Sequence, residues 1–159
     1  MAKEKYSFEQ FFKTLDAEQQ AFAQDLHKYL TDNGYKVEFE EKKDGLSGSY
    51  KLKRRVVGAM ALRKQGLVIR INSENISSYS DFLETLPKDM IQTIEDKPDC
   101  KNLVSQNCSW KDCSGFDFKI GKKHYQKCHF MGFEFLVTKK NKSYIKSFVK
   151  KETEARAAA

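Results

Sequence analysis

Residues 35–72 constrain the fold more than any other part of the chain. Four runs rich in strand-forming residues, 35–41, 49–53, 56–63 and 67–72, are separated by turn signals at Asp44-Gly45, around Arg54-Arg55 and at Lys64-Gln65-Gly66. Connections this short leave no room for a crossover, so successive strands must be antiparallel neighbours in a four-stranded meander. Alternation along each strand assigns the faces. Val37, Phe39, Tyr50, Leu52, Met60, Leu62, Leu67, Ile69 and Ile71 point inward, and Glu38, Glu40, Lys51, Lys53, Arg63 and Arg70 point outward. A sheet with one apolar face needs a cover.

The N-terminal segment supplies it. Ser7 with Gln10 and Asp16 with Gln19 have capping-box spacing, and Phe8, Phe11, Phe12, Leu15, Phe22, Leu26, Tyr29 and Leu30 recur at helical period until Asn33-Gly34. His27 borders that stripe as a helix-surface or boundary residue. Beyond the meander the pattern predicts short helices over 76–85 and 87–96, then a hairpin over 116–120 and 123–128 turning at Gly121-Lys122. A strand over 132–137 and a last amphipathic helix carrying Tyr144, Ile145, Phe148 and Val149 follow. The expectation is one α+β domain over residues 1–152, containing a cysteine-rich segment at 99–129, with 153–159 a disordered tail or cloning remnant. Its 159 residues suit one domain. No apolar run approaches a membrane span, and MAKEKYSFEQ lacks an export core, so a cytoplasmic protein with no membrane partner is expected.

All four cysteines, Cys100, Cys108, Cys113 and Cys128, fall within 29 residues, and the stretch 99–114 is short of apolar side chains. Core-filling cysteines scatter, and intracellular thiols stay reduced, so a structural zinc held by four thiolates is the sharpest expectation. His129 or His124 would give a variant set of three cysteines and one histidine. The spacing contains no CxxC knuckle, which leaves reduced or disulfide-linked cysteines as the alternatives. Four protein ligands would leave no open position for a substrate.

Catalysis finds no support. There is no G-x-S-x-G, P-loop, G-x-G-x-x-G or HExxH, and Cys128 and His129 are strand neighbours facing opposite ways. Charge is segregated: the formal total of +7 divides into −4 over residues 1–41, +8 over 42–72, −5 over 73–99 and +9 over 119–151. A basic hairpin carrying Lys51, Lys53, Arg54, Arg55, Arg63 and Arg70 would suit nucleic acid if these residues share a face, with Glu38 and Glu40 cancelling part of it. A third expectation is a small-molecule sensor using an aromatic cleft among Phe116, Phe118, Tyr125, Phe130, Phe133 and Phe135, set against a second portion of core.

Three stretches, GLVIRIN (66–72), DFLETLPKDMIQTIED (81–96) and GFEFLVTKKNKSYIKSFVKKE (132–152), give the chain an architecture that resembles the YdhG-like and YjbR-like groups of small bacterial proteins. The resemblance implies a compact α+β domain and, through the YjbR-like members, an association with DNA. It carries over no catalytic residue, and the cysteine-bearing insert does not belong to the common pattern.

Overall fold

The computed structural model describes residues 6–43, 45–101, 103–104, 115–128 and 132–158. Both N-terminal caps form. Ser7 and Gln10 exchange backbone-to-side-chain hydrogen bonds ahead of α1 (Phe8–Lys13), and Asp16 and Gln19 do so ahead of α2 (Ala17–Asp32). Each box satisfies two helix N–H groups that the helix itself leaves unpaired. Gly34, at φ +87°, then reverses the chain after α2.

The meander follows as β1 (Lys36–Lys42), β2 (Gly45–Leu52), β3 (Arg55–Arg63) and β4 (Gly66–Ile71), all antiparallel. The register bears out the expected faces. Phe39, Gly48, Met60 and Ile69 form one inward row, and Val37, Tyr50, Gly58 and Ile71 another. A fifth strand, β7 (Phe133–Leu136), returns from far along the chain and pairs antiparallel with β4, adding Phe135 and Phe133 to those rows. The strand order is β1-β2-β3-β4-β7.

After β4 the chain runs through a 3-10 turn (Ile76–Tyr79), α3 (Ser80–Leu83) and α4 (Lys88–Asp96) to the hairpin β5 (Phe116–Ile120) and β6 (Lys123–Lys127), and it ends in α5 (Lys142–Ala158). The inner face carries the core. Phe11 packs on Phe39 with ring centroids 5.3 Å apart, Phe148 lies 5.9 Å from Phe135, and Phe116 lies 5.2 Å from Phe133. The face turned away from the core presents Glu38, Ser49, Ala59, Arg70 and Glu134 in one row. Among the described residues no helix is long and apolar enough to cross a membrane.

The C-terminus departs from expectation. Residues 153–158, expected as a tail, are the last turns of α5, with Thr153 buried and Glu152 fully so. Glu152 accepts hydrogen bonds from the Asn75 N–H (3.0 Å), Asn75 Nδ2 (3.0 Å), Tyr79 Oη (2.7 Å) and Arg156 Nε (2.8 Å). Burial, and then the Glu152 charge, raise the Tyr79 pKa, so its hydroxyl stays a donor.

His27 is the boundary residue of the two alternatives, half-buried. The Phe8 ring stacks on it at 3.8 Å, and its Nδ1 lies 2.7 Å from Tyr50 Oη. Desolvation lowers its pKa below the ordinary 6.5. The unfolded chain therefore takes up this proton more readily than the folded one. Stability is full above about pH 6.5 and falls as the pH drops toward the lowered value. Urea unfolding between pH 5 and 8 should show this slope, and His27→Gln should flatten it; equal slopes in both proteins would refute the assignment.

Candidate functional site

Pro98 ends α4 by forcing Lys97 into extended conformation (φ −67°, ψ 139°). The following residues then lie alongside β6. The Cys100 N–H donates to the Gln126 carbonyl (2.8 Å) and the Cys128 N–H to the Pro98 carbonyl (2.7 Å), enclosing the antiparallel bridge between Asp99 and Lys127. Asp99 and Lys127 therefore share one face of this ribbon, and Cys100 and Cys128 sit diagonally on the other.

The Lys127 side chain is held inside. Its Nζ donates to the Glu95 carbonyl (2.8 Å) and to Asp99 Oδ1 (3.0 Å), and it lies 5.8 Å from the Tyr125 ring centroid. Glu95 in turn accepts from Tyr125 Oη (2.5 Å) and Lys123 Nζ (3.1 Å). The Tyr125 hydrogen bond, then that of Lys123, holds the Glu95 carboxyl below its ordinary range. These bonds tie the ribbon to α4.

Cys100 is 3% exposed and Cys128 half-buried, and among the described residues neither is in a disulfide. Gly115, at φ +67°, lies directly against Cys100; a Cβ there would stand 2.6 Å from Cys100 Sγ and 2.9 Å from Leu103 Cδ1. Cys108, Cys113, His129 and Phe130 lie outside the described residues. His124 directs Nε2 to Asp117 Oδ1 at 2.5 Å, which occupies that nitrogen. Among the described residues no three metal-binding side chains converge.

The basic residues separate into two groups. Lys51, Arg63 and Arg70 lie on the sheet face turned away from the core. There Lys51 Nζ meets Glu38 Oε2 at 3.6 Å and Arg63 Nη2 meets Glu134 Oε1 at 3.6 Å. Lys53, expected as a strand residue, is instead the first residue of the β2–β3 turn and Arg54 the second, at φ +51° and +70°. Arg55 opens β3 and is paired with Glu74. Glu40 bonds Lys42 on its own strand at 2.7 Å.

Part of the other basic block is engaged elsewhere. On α5, Lys146 is paired with Asp25 of α2 and Lys150 lies 5.3 Å from the Tyr29 ring centroid, while Lys139, just before α5, reaches Glu18 at 3.3 Å. At Lys139 and Lys146 the second basic block therefore meets carboxylates of the N-terminal acidic block.

Of the expected aromatic cleft, Phe116, Phe118, Tyr125, Phe133 and Phe135 are buried; the first four pack on one another and Phe135 packs on Phe148. Phe118 stacks on Tyr125 at 5.4 Å and meets Phe133 edge-on at 6.1 Å. They form core, as their alternation with polar residues on two-residue spacing allows.

No protein-family model, curated protein or solved structure matches the chain.

Proposed function

We propose that this chain is a non-enzymatic binding module whose 99–129 segment is pinned by one structural zinc ion held by Cys100, Cys108, Cys113 and Cys128. The observation that carries the reading is the placement of Cys100 and Cys128 on one face of the ribbon, either side of the Asp99–Lys127 bridge, 28 residues apart in sequence. Only Ser114 separates Cys113 from Gly115, and Gly115 touches Cys100. At no more than about 3.6 Å of chain per residue, a thiolate from Cys113 is within reach of the same point. Zinc would add an anchor for residues 99–114, which have few apolar side chains of their own.

Protein purified without chelator should carry about one zinc per chain. Cys108→Ser and Cys128→Ser should each lower that content, and strong chelators should loosen 99–129 while the five-stranded sheet persists, as read by amide exchange. Metal-free protein with unchanged exchange across the ribbon would overturn the proposal.

A second reading, binding of nucleic acid by the basic hairpin, is favoured by the common face of Lys51, Arg63 and Arg70. It predicts association that weakens steeply with salt.

A further inference from the structure

The ion pairs of Arg55 and Arg63 narrow the basic hairpin to its tip and edge. There, β1 begins beside the β2–β3 turn, and an open cleft of about 440 Å³ is lined by Gly34, Lys36, Glu38, Leu52 and the cations Lys51, Lys53 and Arg54. We propose that this cleft grips the phosphodiester backbone of duplex DNA, with Lys36, Lys51, Lys53 and Arg54 supplying the contacts. The inference rests on the nucleic-acid reading and is independent of the zinc.

Two features carry it beyond a solvated patch. First, a two-residue hairpin turn with positive φ at both central positions favours Asn-Gly, because other residues bring Cβ against the following carbonyl. This chain keeps Lys53 and Arg54 there, at φ +51° and +70°. Second, Lys36 and Lys51 stand directly opposite each other across β1 and β2, an arrangement that repulsion disfavours. Glu38, 3.6 Å from Lys51, relieves it only in part. A bound polyanion would relieve it further.

The lining also selects the ligand. Among the described residues it contains no aromatic side chain on which an unpaired base could stack, and Leu52 is its one large apolar residue, too little to enter a bilayer. Four cations along one open edge match successive backbone phosphates better than a single free phosphate.

The test is anisotropy of a labelled 20-base-pair duplex titrated with the full chain between 50 and 300 mM KCl. With three to four phosphates neutralised, log affinity should fall against log salt with a slope of about −3. Lys36→Ala with Arg54→Ala should reduce that slope by about 1.8 and cost about 60-fold in affinity at 0.1 M salt. Glu38→Gln should tighten binding. Lys53→Asn with Arg54→Gly should weaken binding while raising the melting temperature, a combination that damage to the fold cannot produce.

Binding lost with Arg63→Ala but unaffected by the cleft variants overturns the cleft and keeps the nucleic-acid reading. No binding at 50 mM KCl overturns both. Preference for single strands, or displacement by millimolar inorganic phosphate, overturns the duplex assignment.

Discussion

Arg156→Met is expected to destabilise the protein by about 3–5 kcal/mol, the range typical of breaking a buried ion pair by removing one partner. Glu152 is 0% exposed and the Arg156 side chain 7%, so neither charge is compensated by solvent. The guanidinium donates through Nε to Glu152 and through Nη2 to the Asn72 carbonyl (2.8 Å) just beyond β4, and Nη2 lies 3.7 Å from Glu74. It therefore fastens the end of α5 to the loop that follows the meander. Without it, Glu152 keeps three neutral donors and loses its counter-charge. Removing both charges with Glu152→Gln and Arg156→Met should recover a large part of the loss, because two uncharged side chains at this site carry less desolvation than one orphaned carboxylate. Urea denaturation of the three proteins measures both quantities. A single-variant loss below about 1 kcal/mol would mean that solvent reaches the site.

This lock was hidden in the sequence for a definable reason. Phe148, Glu152 and Arg156 follow one another at four-residue spacing, so the buried stripe of α5 continues through a charged pair. A polar pair on a helix reads as solvated unless something buried faces it, and here the partners Asn75 and Tyr79 come from more than 70 residues away. The same limit applies to β7. Its alternation marked it as a strand, but its pairing with β4 is a contact between distant segments that no local pattern encodes. The meander was legible because short turns leave one pairing. Charge counting by segment collected Arg55 and Arg63 but could not see that Glu74 and Glu134 would meet them. It also passed over Lys36, which belongs to an acidic stretch and joins the basic cleft only through its register with Lys51. The cysteines were legible as a cluster. That Cys100 and Cys128 share one face of the ribbon depends on the pairing of residues 98–100 with β6, and Pro98 was its only local signal.

Gly58→Ala is expected to cost about 3 kcal/mol, the upper end of overpacking penalties. Gly58 lies in β3, the middle strand of the sheet, where Tyr50 pairs with Gly58 and Lys51 with Val56, leaving Val57 as an extra residue. On its other side Gly58 is approached closely by β4. A Cβ on Gly58 would overlap the Arg70 carbonyl oxygen and stand 3.3 Å from the carbonyl carbon. Both atoms belong to β4, which is bonded to β3 on one side and β7 on the other, so the backbone has nowhere to retreat. Gly48 provides the control. A Cβ there would overlap the Phe39 ring, but Phe39 belongs to the edge strand β1 and its ring can turn aside. Gly48→Ala should therefore cost only about 1–2 kcal/mol, mostly in lost ring burial. A glycine inside a strand marks either a bulge or a close approach, and the order of the two losses distinguishes a rigid neighbour from a mobile one. Urea midpoints at equal m-values give that order directly, and a loss at Gly48 equal to or larger than that at Gly58 would contradict the packing described for the sheet.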